Sequence, residues 1–178
     1  MAKHSRNLAG ILAVIGTMAA SMAWAEDGHI PAPSAQSRVR SSASRLVAMM
    51  RDARERSTTF RALADTIETT NGIVYVEHGP CEHGVKACLV SITAAGANRL
   101  VSVKVNFRTV GLDLPALVGH ELRHAVEVLA DPDVTSVDAM YSFYARHGRR
   151  PLAGGFETVA AQEAGRAVRR EMGHSRIR

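Results

Sequence analysis

Aromatic residues are scarce in this 178-residue chain, which holds one tryptophan, three tyrosines and four phenylalanines. So few rings give no stacking platform for bases, and nucleic acid is not an expected partner. Long apolar runs are missing as well. The longest, Leu8 to Ala20, is broken by Gly10, Gly16 and Thr17 and falls short of the roughly 20 strongly apolar residues a membrane span needs. No later segment does better, so stable membrane insertion is not expected. Cysteine is limited to Cys81 and Cys88. No internal repeat and no low-complexity block is present.

What the first residues do contain is a leader pattern. Lys3 and Arg6 precede the apolar run, and Ala23-Trp24-Ala25 stands before the acidic pair Glu26-Asp27, the plan of a secretory signal peptide cleaved after Ala25. Neither a twin-arginine pair nor a cysteine at the cleavage point accompanies it, which argues against a Tat signal and a lipid anchor. The expectation is a signal peptide over 1–25 and a periplasmic or secreted product. The remaining 153 residues suit one domain with one core. The formal charge falls from +5 to +3 when Lys3 and Arg6 leave. The basic group Arg166, Arg169, Arg170, Arg176 and Arg178 reads as a solvated helix end. In an exported chain, Cys81 and Cys88 are expected to form a disulfide across their short turn. His78 and His83 lie beside them, but a His-Cys-His-Cys structural zinc site at this spacing matches no standard finger.

Residues 26–41 carry Pro31, Pro33 and several serines and read as a flexible lead-in. Helices are expected over 42–55 (Leu46, Met49, Met50, Ala53 on one side) and 58–70 (Phe60, Leu63, Ala64, Ile67), the second stopped by Asn71-Gly72. The β-branched runs 73–76 and 89–93 predict two strands joined by a hairpin-like loop through the cysteine turn. Alternation over 100–107 predicts a third strand with one packed face and one wet face. Further helices are expected over 113–130, 135–147 and 155–172. The fold class is therefore α+β, a small and mostly antiparallel sheet packed with helices, in one domain over 42–178.

The helix over 113–130 carries the chemistry. Asp113 is a plausible N-cap, Pro115 sits where its missing N–H costs nothing, and Leu114, Leu117, Val118, Leu122, Ala125, Val128 and Leu129 recur at helical spacing. Within it, residues 120–124 read His-Glu-Leu-Arg-His. Histidines four apart project from one face, near enough to share a metal ion, with Glu121 between them as a base toward water. With 8 His in the chain, the pattern arises by accident in roughly two of a hundred chains of this composition. The bland alternative is a helix with two solvated histidines and an Arg123–Glu127 pair at i, i+4.

A catalytic zinc site takes three protein ligands and keeps one open position, so a third ligand is needed downstream. Glu157 is the first candidate, because on a helix it shares a face with Ala160, Ala161, Ala164 and Val168. Glu163 is explained as well by ion pairing with Arg166 and Arg170. His147, after Tyr141 and Tyr144 at the end of a short helix, competes as ligand, as transition-state donor or as a histidine on the helix dipole. Asp131 and Asp133 read as the end of the motif helix around Pro132.

With these residues the chain resembles the gluzincin branch of zinc metallopeptidases, in which a His-Glu-x-x-His helix is completed by a glutamate from a later helix. The matching residues are His120, Glu121, His124 and Glu157, and the resemblance covers about residues 100–170. Unlike the larger thermolysin-like members, Glu157 is not preceded by asparagine or followed by Ser-Asp. The resemblance implies a zincin-like fold with the strand over 100–107 as an edge that holds an extended peptide. It implies Zn2+ held by His120, His124 and Glu157, Glu121 as general base, and Tyr144 or His147 as oxyanion stabiliser. The expected function is an exported zinc metallopeptidase acting on a peptide or protein. The competing expectation is a noncatalytic binding module with a structural metal site, which a closing fourth ligand such as His147 or Glu127 would favour.

Overall fold

The computed structural model describes residues 36–106, 113–149 and 156–174, apart from the side chains of His83 and His174. The leader, its cleavage point and most of the lead-in lie outside the described residues. Among those described, four strands and five α-helices follow in the order β1 (Val39–Arg40), α1 (Ser44–Arg56), α2 (Thr58–Glu68), β2 (Gly72–His78), β3 (Ala87–Ala95), β4 (Asn98–Val105), α3 (Asp113–Ala130), α4 (Val137–His147) and α5 (Val159–His174). No helix among them is long and apolar enough to cross a membrane. The fold is α+β, as the sequence predicts, but three strand expectations need correction.

The sheet order is β1-β2-β4-β3. β2 and β3 do not form a hairpin; β4 inserts between them, parallel to β2 and antiparallel to β3. With β1 also parallel to β2, two of the three pairings are parallel, so the sheet is mixed rather than mostly antiparallel. β4 is consequently interior, and the strand that borders the functional face as an edge is β3. The pairing of β1 also draws the end of the lead-in segment into the sheet.

The alternation read in the sequence appears as burial. Val101, Val103 and Val105 of β4 and Val74 and Val76 of β2 are fully buried, and α2 and α3 lie against this sheet. α1 and α2 are separated by a single residue, Ser57, whose hydroxyl accepts from the Phe60 N–H as the N-cap of α2. The same hydroxyl donates to Glu171 of α5, which also accepts from the Thr59 N–H (3.0 Å) and hydroxyl (2.8 Å). α5 is thereby fastened to the α1–α2 junction.

The far end of α3 is fastened by a residue of β4. Arg99, 5% exposed, donates to the carbonyls of Leu129 and Asp131 at 2.6 Å, Val134 at 3.2 Å and Val128 at 3.3 Å, and to the Asn71 side chain at 2.9 Å. The last carbonyls of a helix have no partner within it; here one guanidinium fork supplies them. Asp131 and Asp133 end the motif helix as expected, with the Asp133 N–H bonded to the Asp131 carboxylate.

Cys81 and Cys88 are joined in a disulfide. It closes a loop with one 3-10 turn, Glu82–Gly84, immediately before β3. The bridge leaves no thiolates for the alternative structural zinc site, and the His78 ring bonds to the Val105 carbonyl at 3.1 Å.

Candidate metal centre

α3 buries the face that carries Leu122, Ala125, Val128 and, among polar residues, Glu121 and His124. A helix held that firmly presents the imidazoles of His120 and His124 with ring centroids 4.9 Å apart. Glu157 meets them from the segment before α5. One oxygen, Oε1, lies 3.5 Å from His120 Nε2 and 3.6 Å from His124 Nε2. Zinc with bonds of about 2.0–2.1 Å in a tetrahedron places its ligand atoms roughly 3.3–3.4 Å apart. These two separations lie close to such an edge and exceed ordinary hydrogen-bond lengths, and the three ligand atoms all fall within 4.8 Å of one another. His120, His124 and Glu157 thus form a group able to hold a metal ion, and among the described residues no fourth His, Cys, Asp or Glu joins it.

Glu157 occupies this position for a different reason from the one the sequence suggested. It is not on a helical face, since α5 begins at Val159. Instead it forms an antiparallel bridge with Arg149, N–H to carbonyl in both directions at 2.8 and 2.9 Å. The Thr158 N–H then fixes its carboxylate at 2.9 Å.

Behind the three side chains stands a second layer built on Glu127 and Thr158. Glu127 accepts from His124 Nδ1 at 3.0 Å, from the Thr158 hydroxyl at 2.8 Å and from Arg123 Nε at 3.3 Å. Burial pushes the Glu127 carboxyl up, but the hydrogen bonds from His124 and Thr158 prevail and hold it below the usual carboxylate range. An ionised Glu127 holds the proton on Nδ1 and leaves Nε2 facing the centre. Thr158 also accepts from the Ala161 N–H at 3.1 Å, so it caps α5 and braces Glu127 at once. The His120 ring donates to the Ala161 carbonyl; burial and the neighbouring His124 hold that imidazole below its ordinary pKa. For His124 burial acts downward too, but Glu127 and Glu157 outweigh it and raise the imidazole to about 9.

Glu121 points toward β3, 6% exposed, with Oε1 4.0 Å from His120 Nε2. Burial pushes its carboxyl up to about 7, against His124 and a hydrogen bond from the Leu89 backbone N–H, which favour the charged form. Leu89 is where β3 bulges, since Val90 has no partner between the Leu89–Val103 and Ser91–Ser102 pairs.

The remaining candidates fall outside this group. His147 ends α4, exposed, its Nδ1 against the Phe143 carbonyl at 2.9 Å. Glu163 is exposed on α5. Tyr144 is buried and spends its hydroxyl on the His124 carbonyl at 3.0 Å, with its ring edge-on to the His124 imidazole. Burial and nearby carboxylates keep that phenol well above its ordinary pKa, a neutral donor. Its place is to position His124.

A cleft of about 640 Å³ opens over the centre, with His120, Glu121, His124 and Glu157 on its floor. One wall is β3 and the loop before it; the other is apolar, formed by Val137, Met140, Tyr141 and Phe156. Comparison of the chain with protein-family models, with curated proteins and with solved structures finds no match. The functional reading therefore stands on this geometry.

Proposed function

We propose that the protein is an exported zinc metallopeptidase with a centre of the gluzincin type on a zincin-like fold. The observation that carries the reading is the triangle of His120 Nε2, His124 Nε2 and Glu157 Oε1, with Glu121 beside it at the floor of an open cleft. Two imidazoles and one carboxylate suit zinc. Bound there, the ion supplies Lewis acidity toward a scissile carbonyl. Glu121 takes a proton from the attacking water and returns it to the leaving amine. The edge of β3 receives an extended peptide by strand addition, and Met140, Tyr141 and Phe156 offer apolar surface to its side chains. The leader pattern and the Cys81–Cys88 disulfide both favour an oxidising compartment.

The test pairs metal analysis with one substitution. Mature protein is expected to carry one zinc ion, lost in His120→Ala, His124→Ala and Glu157→Ala. Glu121→Gln keeps the zinc and loses hydrolysis by about a hundredfold or more. A metal-free protein, or a Glu121→Gln variant that cleaves peptides as wild type does, refutes the proposal.

A further inference from the structure

A second cavity, about 380 Å³, lies in the groove between α3 and α5. Its walls include Leu117 and His120, which also line the cleft over the metal centre. The two spaces are therefore neighbours, with these side chains bordering both, and the groove lies beside the metal centre on its α5 side. On the α5 side stand Gln162 and Arg166, four residues apart on one face, followed by Arg169. Arg169 is neutralised by Asp113 at 2.7 Å. Arg166 differs: it is exposed and, among the described residues, has neither an ion-pair nor a hydrogen-bond partner. The Gln162 side chain is likewise uncommitted.

We propose that Arg166 and Gln162 form a subsite for a carboxylate of the peptide substrate, an inference that rests on the peptidase reading above. A guanidinium presents paired N–H donors that match a carboxylate's two oxygens, and the Gln162 amide one turn earlier adds another donor. The carboxylate comes either from an acidic side chain or from the free C-terminus of a short peptide.

Four pools of degenerate octapeptides, each labelled with an uncharged BODIPY dye, separate these sources. They carry glutamate or glutamine at the mixed positions, and each type ends in a carboxylate or in an amide. Zinc-loaded Glu121→Gln protein, with and without Arg166→Gln, is titrated with each pool by fluorescence anisotropy, and wild-type cleavage of the same pools is followed by mass spectrometry. The anionic pools should bind about tenfold more tightly than the neutral one, a ratio of the size a charge-assisted hydrogen-bond pair supplies. Arg166→Gln should erase that ratio and leave zinc content and neutral-pool affinity unchanged. Whichever pools carry the ratio identify the side-chain or the terminal carboxylate. Absence of a charge ratio, whether the pools bind alike or not at all, overturns the subsite, as does a ratio that survives Arg166→Gln. Charge-selective binding with no cleavage by wild type keeps the subsite and removes the peptidase; cleavage without charge selection does the reverse.

Discussion

Glu127 is not one of the three side chains grouped to hold a metal, yet on the proposed reading zinc affinity depends on it. Its carboxylate accepts from His124 Nδ1 at 3.0 Å and from Thr158 at 2.8 Å. Glu127→Gln keeps the shape and one acceptor oxygen but removes the charge. A hydrogen bond to a charged group contributes about 1.5–3 kcal/mol against about 0.5–1.5 for a neutral pair, so the change should weaken zinc binding by roughly 1–1.5 kcal/mol, close to tenfold. Glu127→Ala removes the orienting group altogether and should cost up to about a hundredfold. Competition with a chromophoric chelator at fixed pH measures both, and thermal melts of the metal-free variants show whether the fold is intact. Zinc affinity in Glu127→Ala equal to wild type would mean that the carboxylate does not orient His124. Complete loss, as in His124→Ala, would mean that Glu127 is itself a ligand. Either result sinks the two-layer description.

Two further substitutions probe how the centre is held. Arg99→Met leaves the carbonyls of Val128, Leu129 and Val134 without a donor, and should lower the unfolding free energy by roughly 3–9 kcal/mol at about 1–3 kcal/mol per buried orphan. Urea melts read this directly, and a loss below about 1 kcal/mol would refute the capping role. Glu171→Gln tests the anchor of α5. Burial pushes the Glu171 carboxyl up, but its bonds from Ser57 and Thr59 prevail and hold it below the usual range, so the folded chain binds this proton more weakly than the unfolded one. The stabilisation is then full above the unfolded value of about 4.3 and drains away as pH falls through the lower folded value. Wild type should melt higher than Glu171→Gln at pH 7, by about 1 kcal/mol after solvent screening, and the two should converge near pH 3 to within about 0.5 kcal/mol. A gap that is constant across that range counts against the ion as its source.

The motif helix was legible because its signals are local. Pro115, the apolar spacing from Leu114 to Leu129 and the pentapeptide all lie within α3, whose bounds, Asp113–Ala130, agree with the expected 113–130. The same holds for the core positions of α1 and α2 and for the alternation in β4. What is not local is not legible in this way. The order of the strands depends on β4 passing back between β2 and β3, and alternation reports which face of a strand is buried but not which neighbours flank it. Glu157 was reached through a helical stripe that does not include it; the true determinant is a bridge to Arg149, eight residues earlier, which has no signature in side-chain chemistry. Arg99 has no sequence signature for a related reason, since four of its acceptors are backbone carbonyls that any residue could offer. Glu127 did carry a signal, three residues after His124 and so on the same face, but its i, i+4 spacing from Arg123 offered a simpler account, and the structure retains both contacts.

The same close packing that builds the core sets the dimensions of the centre. α3 and α5 approach each other through glycines: a Cβ on Gly119 would stand 2.8 Å from Val168 Cγ2, and one on Gly165 would stand 3.2 Å from the Ala116 carbonyl and 3.3 Å from His120 Cβ. Any side chain at 165 therefore has to push α5 and α3 apart by a few tenths of an ångström. Two of the three candidate ligands ride on α3, and the third is tied to the start of α5 through Thr158, so that displacement passes into the Nε2–Oε1 separations of 3.5 and 3.6 Å. A metal site tolerates bond-length errors of only about 0.2 Å. The small residues on α5 thus do more than fill a core: by fixing how near α5 lies to the His-Glu-x-x-His helix, they fix whether one carboxylate oxygen can serve both imidazoles. Thr158 couples the two layers, since the hydroxyl that starts α5 also orders the carboxylate behind His124. Helix capping, helix packing and ligand geometry are in this region a single set of contacts.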